Sequence, residues 1–221
     1  MVETPNKPLQ WSVDSVRCYT NGVNEAGHET RNRLLTTTVD MLDEHPEKEV
    51  TAAEILRRTG IARGSLYHFW DTIADLIEEA YLVRYSRYVE KSGGVISQML
   101  AECKTKEEFF IGLSRVTELT QDPARSANRY ERARILGMTQ NNPKFKKALG
   151  QVQRSLTDLF TEQFTEVQNR GWFNKDFDPR AAAVLIQAYT LGKIVDDVVD
   201  NQMDAIAWNA LIGLIVDRTL S

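Results

Sequence analysis

The strongest constraint on the fold of this chain is the helical spacing of its apolar residues, which few helix breakers interrupt. It is clearest between Asn142 and Gly171, where apolar side chains recur every three or four positions. Asn142 suits a helix N-cap, Pro143 the first helical position and Gly171 the residue just past the end. The same spacing recurs along 221 residues that contain only 6 Pro and 12 Gly. With no convincing strand pattern, the sequence predicts an all-α fold.

Further helix boundaries follow from capping residues and breakers. Thr51 with Glu54, and Thr72 with Asp75, have the spacing of capping boxes, and Asp178-Pro179 can open a helix near the C-terminus. The predicted helices cover residues 30–45, 51–59, 72 toward Gly93 and Gly94, 106–120, 124–140, 142–170, 178 toward 200, and 203–220. Residues 1–29 lack this periodicity and are predicted to be an extension, in which Trp11 and Val16 pack on the body or on a partner subunit.

Composition limits the class of protein. The chain is 42% hydrophobic and 26% charged, as is usual for globular proteins, and it has neither a bilayer-length apolar run nor a secretion signal. A cytoplasmic location without membrane contact is therefore expected. Cys18 and Cys103 form no CxxC pair, so neither a disulfide framework nor a metal site is predicted, and no cofactor is expected. The net charge of −4 argues against coating nucleic acid by charge alone but permits a small DNA-reading module.

Signals for catalysis are missing from the sequence. His28, His45 and His68 are scattered, and no GxSxG or GxxxxGK motif occurs. The carboxylates of Asp196 and Asp197 are predicted to lie on a solvated helix face. The chain is therefore not expected to be an enzyme, although a helical enzyme and a helical adaptor without DNA activity remain alternatives.

The most informative stretch runs from Thr51 to Leu76 and reads TAAEILRRTGIARGSLYHFWDTIADL. A short helix is predicted to end at Gly60, which can take a left-handed turn conformation, and a second short helix begins immediately afterwards. This is the layout of a helix-turn-helix, whose second helix enters the major groove of DNA while the first crosses the backbone.

Residues 60–68, GIARGSLYH, resemble the turn and recognition helix of the TetR family, and the resemblance extends over about residues 30–80. It implies three parts: an N-terminal extension (1–29), a three-helix DNA-binding domain (30–71) and a larger helical domain for ligand binding and dimerisation (72–221). It further implies a regulator, usually a repressor, that binds a palindromic operator in double-stranded DNA as a homodimer and is released by a small-molecule effector.

Eight residues are predicted to contact DNA. Arg63 can bind guanine or a phosphate, and Ser65, Tyr67 and His68 can donate hydrogen bonds to phosphate oxygens. The set is Thr51, Ala62, Arg63, Gly64, Ser65, Tyr67, His68 and Thr72. The sequence departs from the family pattern at Ala62, Trp70 and Ile73, the last of which replaces a lysine that often contacts phosphate. Basic and acidic residues balance over residues 30–70, but a local positive face is predicted from Arg31, Arg33, Arg57 and Arg58.

Several of these positions have a simpler explanation. Core packing is the expected role of Leu66, Phe69 and Trp70, and Arg63 and His68 alone would fit a solvated surface. The combination of turn glycine, Gly64 and polar donors at fixed spacing favours DNA binding.

Two further sets of residues are predicted in the C-terminal part. An apolar, aromatic pocket with one arginine would suit a mostly apolar ligand that can carry a negative charge, and its candidates are Phe109, Phe110, Leu113, Tyr130, Arg134, Met138, Leu156, Phe160 and Tyr189. Small and aliphatic residues in the last two long helices suit a four-helix dimer interface, and its candidates are Ala181, Leu185, Ala188, Gly192, Val195 and Ile212.

Overall fold

The computed structural model describes residues 25–220, and all regular structure in that range is helical, as the sequence predicts. Trp11, Val16 and Cys18 lie outside the described residues. The helices are α1 (Glu25–Glu44), α2 (Ala52–Thr59), α3 (Arg63–Phe69), α4 (Ile73–Glu102), α5 (Lys106–Gln121), α6 (Ser126–Gly137), α7 (Pro143–Asn169), α8 (Pro179–Gly192), α9 (Ile194–Asp197) and α10 (Ala205–Leu220). Because α1 begins at Glu25, residues 25–29 belong to this helix and not to the predicted extension.

Local capping sets most helix boundaries. The hydroxyl of Thr51 accepts a hydrogen bond from the Glu54 amide, and Gly60 ends α2 at φ 67°, in the left-handed region. Asn142 caps α7 by accepting a hydrogen bond from the amide three residues later, at 2.9 Å. Asp178 caps α8 in the same way, at 2.8 Å. These groups satisfy backbone donors that would otherwise lack partners, which is why the sequence predicts the boundaries well.

The chain divides into two compact units, of which the first extends to Arg87. It contains α1 to α3 and the first half of α4, and α1 packs against both α2 and α3. Its core includes fully buried aliphatic side chains from all four helices: Leu34, Leu35, Val39, Ile55, Leu66 and Leu76. A small helical core of this kind fixes the outward-facing side of α3.

The second unit begins at Tyr88 and contains the rest of α4 together with α5 to α10. Its most extensive helix contact joins α7 to α8, while α10 packs on α5 and α6 packs on α9. Phe109 and Phe164 meet Phe173 edge-on or tilted, with ring centroids 5.4 Å and 5.7 Å apart. These rings bury a large apolar surface where α5, α7 and the loop before α8 meet.

The sequence predicts that α4 ends near the pair Gly93-Gly94. In the structure it continues to Glu102. A Cβ atom at Gly93 would overlap the side chain of Leu159 on α7, whereas a Cβ at Gly94 would meet nothing within 4 Å. Tertiary packing therefore outweighs the low helix propensity of two glycines, and Gly93 allows α4 and α7 to approach closely.

Between residues 25 and 220, no helix is both long and apolar enough to cross a bilayer. Within the same range, no three His, Cys, Asp or Glu side chains are grouped so as to hold a metal ion.

Candidate functional site

The recognition helix α3 has one buried and one exposed side. Leu66 is fully buried and Trp70, its C-cap, is nearly so, which agrees with the core role expected for both. Arg63, Gly64, Tyr67 and His68 are exposed, with Tyr67 at 40%. Ser65 is half-buried and Ala62, the N-cap, is exposed. The α3 residues predicted to contact DNA thus lie mainly on the solvent side.

Arg63 and Tyr67 contact each other on this exposed side. The Arg63 guanidinium carbon lies 5.5 Å from the centroid of the Tyr67 ring, a cation–π geometry. In the part of the chain that the structure describes, Arg63 has no carboxylate partner. The ring therefore orients the guanidinium while its N–H donors stay available.

A buried polar cluster holds the back of α3. The indole Nε1 of Trp70 donates to Glu79 Oε2 at 2.7 Å, and Arg31 donates to both oxygens of the same carboxylate at 2.5 Å and 2.6 Å. The Arg31 guanidinium also lies 5.0 Å from the Trp70 ring centroid. Arg31 is thus buried and neutralised inside the unit, so its predicted place on a positive surface is wrong.

The other arginines of that predicted face are also engaged. Arg57 donates to Glu54, and Arg58 donates to both Glu54 and Glu44 at 2.6–3.0 Å. These hydrogen bonds from Arg57 and Arg58 lower the pKa of Glu54 to about 2. Arg33 donates to the carbonyl oxygen of Thr59 at 2.7 Å. Glu54 and Glu44 thus offset the charges of Arg57 and Arg58, whereas Arg33 bonds to a neutral carbonyl and stays exposed.

Thr51 and Thr72 serve as helix caps. The Thr51 hydroxyl accepts from the Glu54 amide at 3.3 Å, while Thr72 and Asp75 cap each other reciprocally at the start of α4. Both threonines are exposed, so they remain accessible to a DNA backbone. Ile73, where the family pattern has lysine, is half-buried as the first residue of α4.

The second unit contains a cavity of about 180 Å³. Its lining is mainly apolar, with several hydroxyl, amide and basic groups: Tyr88, Lys91, Ser92, Val95, Ile96, Leu113, Val116, Leu119, Thr120, Arg125, Asn128, Arg129, Arg132, Phe160, Ile186, Gln187, Tyr189 and Thr190. Leu113, Phe160 and Tyr189 are the sequence-predicted ligand residues that the structure brings together here. The cavity has more than ten times the roughly 10–15 Å³ that one water needs.

The other predicted ligand residues do not line this cavity. Phe109 and Phe110 belong to the aromatic core around Phe173, and Leu156 is buried in that unit's interior. Tyr130 and Arg134 are exposed, and Met138 is half-buried. Their apolar or basic character was visible in the sequence, but the face of the helix on which each lies was not.

One wall of the cavity is held by a buried ion pair. Arg129 donates to both carboxylate oxygens of Asp197 at 2.5 Å and 2.7 Å, and both side chains are almost fully buried. Asp196 pairs with Lys193 and accepts from the Met203 amide, and the hydrogen bond from Lys193 lowers its pKa. The expectation of a solvated face is therefore wrong for Asp197, whose carboxylate pairs with Arg129 of α6 in the interior, whereas Asp196 is half-buried.

Arg132 is a cavity residue that the sequence prediction missed. It is 8% exposed, and its guanidinium carbon lies 4.2 Å from the centroid of the Tyr88 ring. Its Nε has no hydrogen-bond partner within residues 25–220. Its position three residues after Arg129 on α6 was the available signal, since this spacing puts both on one helix face.

Tyr189 is another lining residue of the same cavity. Its hydroxyl lies 3.2 Å from the Thr117 hydroxyl, and burial raises the pKa of the phenol. The amide of Gln187, another lining residue, donates to Thr157 and to the Ala183 carbonyl. These contacts fix the polar groups of the wall.

The predicted dimer residues separate into exposed and buried positions. Ala181, Leu185, Ala188, Gly192 and Val195 are exposed, and Val195 reaches 75%. Ile212 is only 5% exposed, because it packs into the interior of its own unit, so it is not accessible to a partner. Exposed large apolar side chains from α8 to the end of α10, including the segment between α9 and α10, are Val184, Leu185, Val195, Val198, Val199, Met203, Ile206, Leu211, Leu214 and Ile215, and most of them were missed from sequence.

Comparison with solved structures shows the same fold in several bacterial proteins. Salmonella enterica GusR is 19% identical, with a TM-score of 0.58, and the match covers 90% of this chain and 99% of GusR. Thermus thermophilus FadR, a TetR-family repressor in complex with lauroyl-CoA, is 18% identical with a TM-score of 0.59 (84% and 92% covered). A protein from Saccharomonospora viridis, named as a transcriptional regulator and bound to choline, is 16% identical with a TM-score of 0.61 (87% and 98% covered). Likeness at these identities establishes the fold alone.

Curated protein sequences give no significant match to this chain. The family model of bacterial regulatory proteins of the tetR family matches residues 34–80, which run from within α1 into α4 and include the whole helix-turn-helix. The matched segment contains Gly60 in the left-handed conformation, the exposed donors of α3 and the buried Trp70–Glu79 support. Residues 34–80 of this chain are therefore similar to the DNA-binding domain of bacterial regulatory proteins of the tetR family.

Proposed function

We propose that this chain is a repressor that binds a palindromic operator as a homodimer and leaves it when a small molecule enters the cavity of the second unit. The observation that carries this proposal is the continuity of α4. The helix begins at Ile73, soon after α3 ends, and contributes five residues to the cavity wall: Tyr88, Lys91, Ser92, Val95 and Ile96.

One continuous helix thus follows the recognition helix in sequence and contributes to the wall of the proposed ligand site. A ligand that prefers one arrangement of α4 would change how far apart the two recognition helices of a dimer stand. Two half-sites one DNA turn apart tolerate little such change. Release requires the ligand to bind the two arrangements with different affinity.

Arg63 is proposed to read a base, and the Tyr67 hydroxyl to bind a phosphate. Tyr67→Phe keeps the ring beside the guanidinium and removes only the hydroxyl, so it serves as a matched control for Arg63→Ala. Arg63→Ala should cost about 1–3 kcal/mol per half-site and relax the preference at one symmetric base pair. Tyr67→Phe should weaken binding to operator and competitor DNA similarly.

These affinities can be measured by fluorescence anisotropy on operator and scrambled duplexes, with both variants shown to be folded by circular dichroism. If Arg63→Ala lowers the affinity for every duplex equally, Arg63 contacts the DNA backbone and does not read a base. No loss for either variant at low salt would contradict the proposed DNA surface.

The proposed dimer uses the exposed apolar residues of α8 to α10. Ten exposed large apolar side chains between α8 and the end of α10 support an association surface here. Covering it with the same patch of a second copy gives a closed two-fold interface.

Relatives support a small-molecule effector without identifying it. One holds lauroyl-CoA and another holds choline, so the fold accommodates ligands of different charge. The proposal is tested by selecting bound duplexes from a random pool and then screening small molecules for release. A selected palindrome that dissociates on ligand addition would support it. Absence of any selected duplex would favour a helical adaptor or enzyme instead.

A further inference from the structure

The cavity of the second unit contains a buried positive charge that no carboxylate neutralises within the described residues. Arg132 is more than nine-tenths buried and stacks on Tyr88, but it has no hydrogen-bond or ion-pair partner between residues 25 and 220. A buried charge without a counter-ion is unfavourable, and a tyrosine ring compensates only part of the lost hydration. An anion that enters the cavity would supply the missing counter-charge.

The other charged residues of the wall have the same sign. Lys91, Arg125 and Arg129 line the cavity with Arg132, and no Asp or Glu is among the lining residues. Asp197, which does not line the cavity, neutralises the charge of Arg129. Lys91 is exposed and Arg125 half-buried, so they add positive charge toward the solvent side, while Arg132 supplies it within the cavity. A cation such as choline would face repulsion here.

Most of the remaining wall is apolar. Ile96, Leu113 and Phe160 are buried side chains that line the cavity, and Val116 and Ile186 are half-buried. A ligand that left this surface empty would lose most of the available hydrophobic contribution. The lining thus matches a molecule with an anionic head and an apolar body.

We infer that the effector is a small apolar carboxylate whose head group pairs with Arg132. This inference rests on the proposed function for the cavity as the effector site. A guanidinium offers two parallel N–H donors, a geometry that fits the two oxygens of a carboxylate. The apolar body would lie against Leu113 and Phe160.

The test uses two carboxylates with their neutral counterparts: octanoate with 1-octanol, and 2-naphthoate with 2-naphthalenemethanol. Octylammonium serves as the cationic probe. Binding to the full-length protein without DNA is measured by isothermal titration calorimetry. At least one carboxylate should bind ten or more times more tightly than its alcohol, and octylammonium should bind most weakly.

Variants assign the charge effect to Arg132. Arg132→Met, which keeps an unbranched apolar stem, should reduce the affinity of the carboxylate tenfold or more, to that of its alcohol. Arg132→Lys should retain part of the preference. Arg115→Met removes the same charge from an exposed position of α5 outside the cavity and should leave binding unchanged. Circular dichroism confirms that each variant is folded.

The inference is overturned if neither carboxylate binds, if the alcohols bind as tightly, or if Arg132→Met keeps the carboxylate preference. Operator release is measured separately with the wild-type protein. If a carboxylate binds through Arg132 but leaves the protein on its operator at saturation, the proposed effector function fails and the anion site stands. If only neutral molecules bind and release the operator, the proposed function stands and the anion assignment fails.

Discussion

At the scale of single residues, the arginines differ in what neutralises their charge. Arg31 and Arg129 each donate two hydrogen bonds to one buried carboxylate and thereby stabilise the interior of a unit. Arg63 and Arg132 instead stack on a tyrosine and have no carboxylate partner within the described range. The second pair occupies the two proposed binding sites, where an external anion, phosphate or carboxylate, can supply the missing charge.

Removing Glu54 should strengthen nonspecific DNA binding. Its carboxylate engages both Arg57 and Arg58, and because these bonds lower its pKa to about 2, it remains charged across the physiological range. Glu54→Gln would leave Arg57 without a carboxylate partner on the helix expected to cross the DNA backbone, while Arg58 would keep its bond to Glu44. Affinity for scrambled duplexes should rise, and the salt dependence should steepen by about one unit of slope.

Asp40→Asn is the control, because it removes the same charge from an exposed position of α1 that makes no ion pair with Arg57 or Arg58. Equal effects of the two substitutions would show that net charge alone is responsible.

Because the pKa of Glu54 is lowered on folding, its pairing stabilises the fold above about pH 4.5. That stabilisation is lost as the pH falls from there toward 2.

The two buried arginines of α6 should respond oppositely to the same substitution. Arg129→Met would strand the buried carboxylate of Asp197 and lower the free energy of unfolding by about 3–5 kcal/mol. Arg132→Met would remove an unpaired charge and should leave the stability unchanged or raised. Urea denaturation of both variants without ligand checks this. Destabilisation of Arg132→Met by as much as Arg129→Met would contradict the absence of an internal partner for Arg132.

At the scale of elements, the helix-turn-helix was predictable because its signals are local. Thr51, Gly60 and Thr72 act on backbone groups within four residues, so their spacing alone fixes the boundaries. The pairs Arg31–Glu79 and Arg129–Asp197 join residues 48 and 68 positions apart, and no local pattern reveals them. For the same reason three of nine predicted ligand residues line the cavity, while Arg132 was missed.

The two glycines in α4 should differ when replaced by alanine. Gly94 is exposed and its Cβ position is open, so Gly94→Ala should stabilise the protein by roughly 0.5–1 kcal/mol through helix propensity. Gly93→Ala brings the same propensity gain, but its methyl group must displace Leu159, so it should stabilise less or destabilise. Thermal denaturation compares the pair. A gain for Gly93→Ala equal to that for Gly94→Ala would mean that α4 and α7 are less closely packed.

At the scale of the whole molecule, the exposed apolar surface of α8 to α10 decides whether the proposed regulator can act. Recognition of a palindrome needs two copies, and Val195, at 75% exposure, is a prominent member of that surface. Val195→Asp should give monomers with an unchanged helical spectrum, because an aspartate would have to lose its hydration at the interface. Sedimentation velocity at micromolar concentration measures this outcome.

Ile111→Asp is the matched control, since Ile111 is also an exposed β-branched residue, at 54%, but lies on α5 outside the proposed interface. This variant should remain dimeric. A wild-type chain that sediments as a monomer would contradict the proposed assembly.

Trp70, whose indole donates to Glu79, gives the first unit its own tryptophan fluorescence. Within the described residues, Trp70 is the indole of the first unit, whereas Trp172 and Trp208 belong to the second. A chain with Phe at positions 11, 172 and 208 would therefore keep Trp70, buried at the end of α3, as its single tryptophan. Its fluorescence would follow the loosening of the recognition helix separately from events around the cavity, without an added dye.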